Sequence, residues 1–174
     1  IPTNAKDLVY SSNISRIYSL LSCKKRIMLL STFAGLIMKD LYIDTQEALD
    51  AWCNTQLDKI ELLALDTEFL RVKTYFPKLC LIQLATEDEA VCIDPLALDD
   101  FSSLIQLLTA EHITKIIHSA SQDLEAIVHA LDILPSPVFD TQIAASITQN
   151  SKVGMSYHAL ILHYCEVDLP HDQT

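Results

Sequence analysis

The feature that most restricts this chain is a run of strand-like segments joined by links too short for crossovers. Leu62 to Phe69, Leu79 to Thr86 and Ala90 to Ile93 are apolar and rich in branched residues, with the polar turn Glu87-Asp88-Glu89 between the last two. Connections this short make neighbouring strands antiparallel. The pattern then changes. Phe101 to Leu108 reads as helix, Lys115 to His118 as strand, and Gln122 to Leu131 sets Leu124, Ile127, Val128 and Leu131 on one helical face. Strand, helix, strand predicts a parallel crossover.

Upstream, Leu41-Tyr42-Ile43 reads as a short strand, and Asp44 or Thr45 caps a helix to about Gln56. Downstream, Pro135 and Pro137 break the chain before Asp140, which caps a helix through Thr148, and Ser156 caps another to about Tyr164. The sum is an α/β domain: a mixed central sheet with flanking helices.

At 174 residues, half of them apolar, the chain suits one domain with a real core. Its net charge of −11 is uneven: residues 1–37 carry five Lys/Arg against Asp7 alone, whereas 38–174 carry seven Lys/Arg against 22 Asp/Glu. We read residues 1–37 as a leader or non-native extension and 38–174 as the domain. The apolar run Ile27 to Ile37 is about 11 residues, short of the roughly 20 a membrane helix needs, so no membrane association is expected. An acidic body repels nucleic acid unless cations offset its carboxylates. Five scattered cysteines without a CxxC pair suit reduced thiols in a cytosol-like compartment, and no disulfide framework is expected. The chain's two glycines, Gly35 and Gly154, build no phosphate-cradling loop.

The chemistry concentrates in Asp66-Thr67-Glu68-Phe69. Strand side chains alternate, so Asp66 and Glu68 project from one face. Like charges brought together call for divalent cations, protonation or basic partners, and hard oxygen donors favour magnesium or manganese; two hydrated acids at a fraying strand end are the competing reading. Asp123, at the start of the third helix, is either a ligand or a complement to the helix dipole. Arg71, Lys73 and Lys78 are either phosphate contacts or a solvated turn. His158, His163 and Cys165 offer a poor zinc constellation, because no fourth ligand stands out.

The words around these residues resemble a known family. LALDTEFLRVKTYFPKLCLIQLAT (63–86), then Ile93-Asp94-Pro95-Leu96, KIIHSASQDL (115–124) and VFDTQIA (138–144) are similar, in order and spacing, to ribonuclease D of the DEDD-type 3′ to 5′ exonucleases, which have a ribonuclease H-like fold. The resemblance implies that Asp66, Glu68 and Asp123 are catalytic metal ligands for two Mg2+ or Mn2+, and that Thr67 and Phe69 contact the terminal nucleotide. For Phe69, a place in the core is the alternative. Asp140 is not among the family's usual ligands and is read as structural. The implied activity is hydrolytic trimming of RNA 3′ ends, transfer-RNA precursors included, in the cytoplasm. A DNA exonuclease acting on single strands and a non-catalytic nucleic-acid-binding module are the alternatives, and the oligomeric state is left open. The family completes its site with a Tyr-x-x-x-Asp motif that no segment here supplies in the expected place, so the chain is expected to be weak or inactive. Tyr164 and Asp168 have the spacing but lie in the region preceding that motif.

Overall fold

The computed structural model describes residues 39–71, 75–148 and 154–168; the expectation for residues 1–37 lies outside them. In chain order the elements are β1 (Lys39–Ile43), α1 (Gln46–Leu57), β2 (Leu62–Leu70), β3 (Lys78–Ala85), β4 (Glu89–Ile93), α2 (Ser102–Thr109), β5 (Thr114–Ile117), α3 (Ser121–Leu131), β6 (Val138–Asp140), α4 (Thr141–Thr148) and α5 (Tyr157–Cys165). The six strands form one sheet in the order β1-β4-β3-β2-β5-β6. The short links do give antiparallel pairs, β2 with β3 and β3 with β4, while β1–β4, β2–β5 and β5–β6 are parallel. The expected mixed α/β sheet is present; the expected crossover runs from β4 through α2 to β5, which lies parallel to β2, and β5-α3-β6 adds a second parallel crossover.

Period-two burial divides the sheet into two unlike faces. Leu63, Leu65, Ile82, Leu84, Val91 and Ile93 face the main core, where Leu49 and Trp52 of α1, Leu107 and Leu108 of α2, and Ile127 of α3 meet them. Each such side chain contributes roughly 1.5–3 kcal/mol by leaving water. The other face is built of small residues, with Ala64, Ala85 and Ala90 beside Ile116. A third cluster joins Ala145 of α4 to Tyr157, Leu160 and Ile161 of α5.

Local chemistry explains the helix starts. Thr45 accepts from the Ala48 N–H and Ser156 from the Ala159 N–H, both through the side-chain oxygen. Phe101, expected inside α2, is instead its N-cap and offers no side-chain cap; the neighbouring Asp100 accepts from the backbone N–H of Ser102. β6 was not anticipated. It is three residues long, follows two prolines, and has Phe139 exposed, so neither length nor alternation marks it. Among the described residues Cys53, Cys80 and Cys92 are free thiols, as expected. No helix among the described residues is long and apolar enough to cross a membrane.

Candidate active site

The site forms where the sheet comes apart. β2 pairs with β5 only as far as Ala64 opposite Ile116, yet β2 runs on against β3 to Leu70. Past Ala64, the β5-facing edge of β2 therefore lacks a strand partner. Asp123, in the first turn of α3, takes that place: its Oδ1 accepts from the Thr67 backbone N–H at 3.0 Å and from the Thr67 hydroxyl at 2.7 Å. Both residues are buried, Asp123 to 7% exposure. The expected helix-start position of Asp123 is thus correct, and its carboxylate reaches across to β2.

Asp66 and Glu68 flank Thr67 and are half-buried. Opposite residues across a ladder share a face, so Asp66 stands beside Gln83 and Glu68 beside Leu81, on the small-residue face. A register shift follows between Glu68 and Phe69, re-aiming the strand just past the second acid. Phe69 packs against the main core, and the Thr67 hydroxyl is engaged by Asp123.

Gln83 is a feature the sequence did not mark. It is 1% exposed, yet neither its amide oxygen nor its amide nitrogen has a hydrogen-bond partner. Buried polar atoms are normally satisfied, so an amide opposite Asp66 with both atoms unpartnered departs from ordinary core packing.

The loop presenting Asp123 is held from β6. Asp140 accepts from the Ser119 and Ala120 N–H groups at 3.2 and 2.9 Å, and from Gln142 and Ile143 at 2.8 and 3.2 Å. Burial alone raises its pKa, but these four donors outweigh burial and hold the carboxyl below its ordinary value. Asp140 is the expected N-cap of α4 and also a clamp on the β5–α3 loop, where Ser119 has a φ of 60°, a left-handed conformation that costs a non-glycine residue about 1–2 kcal/mol.

Three carboxylates without thiolate or imidazole make a hard-oxygen donor set, which fits a magnesium-like cation in kind. Among the described residues, no group of three or more His, Cys, Asp or Glu side chains is arranged to hold a metal ion. One oxygen of Asp123 is committed to Thr67 here, so closing on a cation requires that bond to be shared or released.

Other candidates separate out. Arg71 pairs with Glu125, Lys78 is exposed, and Lys73 lies outside the described residues. Tyr164 contacts the Thr148 hydroxyl at 3.2 Å and Asp168 contacts His158 at 2.9 Å, so this Tyr/Asp pair has local partners of its own. His158, His163 and Cys165 form no metal-holding group among the described residues.

Residues 41–174 match the family model described as "3'-5' exonuclease". A ribonuclease D from Serratia proteamaculans is 39% identical over 127 residues, covering 73% of this chain and 34% of its own length. The structure is similar to that of Escherichia coli RNase D, described as an exoribonuclease involved in structured RNA processing (TM-score 0.71, 36% identity, 76% of this chain and 35% of that one). Brucella melitensis NrnC with bound Mg2+ is also similar (TM-score 0.62, 25% identity, 77% of this chain and 64% of that one). The chain spans about a third of the length of these two ribonuclease D proteins.

Proposed function

We propose, from the premise that the chain belongs to the 3′–5′ exonuclease family, that it carries the first two carboxylate motifs of a metal-dependent exoribonuclease that trims RNA 3′ ends, transfer-RNA precursors among them, in the cytoplasm. The observation that carries this reading is the tie between Thr67 and Asp123, which joins the third carboxylate to the strand bearing the other two. The involvement of the E. coli protein in structured RNA processing supports RNA as substrate. The Mg2+ bound by the Brucella protein supports a hard divalent ion.

In this reading Asp66, Glu68 and Asp123 hold two Mg2+ or Mn2+ ions. Bound there, the cations supply Lewis-acid chemistry, making a water nucleophilic and offsetting charge on the departing 3′ oxygen. The chain's own residues do the positioning. Thr67 fixes Asp123 against β2, and Asp140 fixes the loop from which Asp123 projects. Phe69 packs beside the terminal base, and Thr67 reaches that nucleotide only when Asp123 releases its hydroxyl.

The test is manganese-dependent nucleotide release from a 3′-labelled single-stranded RNA, comparing the chain with Asp66→Asn and with a version extended through a Tyr-x-x-x-Asp helix. Recovery on extension, abolished by Asp66→Asn, is the expected result. An extended chain that binds the strand and never cuts it would transfer the reading to a binding module. Equal cutting of a matched DNA would widen the substrate class.

A further inference from the structure

The turn between β2 and β3 carries two aromatic rings into water. Tyr75 is 88% exposed and Phe76 51%. The Phe76 ring lies on the His129 imidazole of α3, centroids 3.9 Å apart and planes 39° apart, and Tyr75 meets Phe76 edge-on at 4.8 Å. Beside them opens a cavity of about 400 Å3 whose lining includes Phe76, Lys78, Leu96, Phe101 and His129. Contiguous exposed apolar surface of this kind marks a binding site. Isolated exposed rings do not, but these three are preassembled.

Three features identify the occupant. The first is charge: Lys78 lines the cavity beside Phe76 and His129 on a chain of net charge −11, which suits a phosphate. The second is continuity with the proposed site. His129 is six residues beyond Asp123 on α3, about 9 Å along the axis at 1.5 Å per residue, and Lys78 pairs with Leu70, two residues past Glu68. That separation equals roughly two to three stacked nucleotides at 3.4 Å each. The third is ring chemistry: exposed aromatic faces beside cations are how proteins grip single strands, because every base has a π-face to stack.

We propose that Tyr75, Phe76 and His129 form a stacking platform for an unpaired base of the bound strand, two to three nucleotides upstream of the 3′ end held by Asp66, Glu68 and Asp123. The proposal rests on the exonuclease reading and deepens it. It makes the chain a reader of strand length: a dinucleotide reaches the carboxylates only, whereas a longer strand also reaches the platform.

The experiment uses RNA hexanucleotides with a single 2-aminopurine at successive positions from the 3′ end, titrated with the whole chain in Ca2+, alongside a labelled dinucleotide. The fluorescence of one upstream position is expected to be quenched by stacking. The double variant Tyr75→Ala/Phe76→Ala abolishes that quench and weakens hexamer binding about ten-fold or more, within the range for loss of a stacked base, and leaves dinucleotide binding unchanged. Phe76→Trp keeps both. Hexamer and dinucleotide weakened alike, or hexamer bound with no position-specific quench, overturns the platform and leaves the exonuclease reading standing. Unchanged hexamer binding with ring-dependent self-association overturns it in favour of a protein contact. Failure of the exonuclease reading is distinct: no oligonucleotide of either length binds, with or without cation, and the platform falls with it.

Discussion

Thr67 donates both its backbone N–H and its hydroxyl to a single oxygen of Asp123, across 56 positions of sequence. The pair stands where the ladder between β2 and β5 has ended, so this carboxylate closes the sheet edge that the next strand leaves open. A buried hydrogen bond to a charged group contributes about 1.5–3 kcal/mol. Thr67→Val keeps the shape and removes the hydroxyl donor, so it should lower unfolding free energy by about that amount in urea titrations, while Thr67→Ser retains most of it. If Thr67→Val unfolds at the wild-type urea concentration, the hydroxyl bond is not stabilising β2.

The clamp at Asp140 predicts a pH dependence. Four backbone donors hold its folded pKa below the ordinary carboxylate value, so its contribution is complete above about pH 4, the unfolded pKa, and is lost as pH falls through the depressed folded pKa. Asp140→Asn should lower stability at pH 7, and the gap from wild type should shrink as the solution is acidified. A gap that stays constant from pH 7 to pH 2 would show that the charge of Asp140 is not what holds the Ser119 loop.

Lys115 gives the same sign in a different pH window. It is fully buried, and its amine donates to the carbonyls of Ala110 and Ile113 at 3.0 and 2.6 Å; a neutral amine has two hydrogens for those two acceptors. Burial pushes its pKa down to about 8. Between pH 8 and about 10.4 the unfolded chain binds the proton and the folded chain does not, so stability gained from Lys115 rises with pH across that window. Cys53 works against this, because burial raises its thiol to about 12 and the folded state holds that proton longer. The difference between wild type and Lys115→Met isolates the lysine, and it should grow in favour of wild type from pH 8 to pH 10. A flat difference would mean that the amine is charged in the fold.

Much of this arrangement is legible in the chain itself. β2, β3 and β4 fall within a residue or so of their expected bounds, because apolar runs that long between polar turns have few other uses. The carboxylates of β2 follow from alternation alone. Asp123 does not: capping explains it equally well until the fold brings it to Thr67, and no periodicity encodes a contact at that separation. The bonds from Asp140 to Gln142 and Ile143 are local and readable, whereas those to Ser119 and Ala120 depend on β6, a strand too short to announce itself.

Gln83 supports a final prediction because its position and its chemistry disagree. It lies opposite Asp66 on β3, 1% exposed, and its amide has no partner at either atom. A buried polar group left unsatisfied costs about 1–3 kcal/mol, and replacing it by an apolar group of similar shape is neutral or stabilising. Small neighbours on that face, Ala64 and Ala85 among them, make overpacking by a residue of similar volume improbable on steric grounds. Gln83→Met should therefore leave the thermal midpoint unchanged or raise it by several degrees, each kcal/mol being worth about 2–8 °C in a domain of this size. A midpoint that falls would mean that the amide has a stabilising partner in solution.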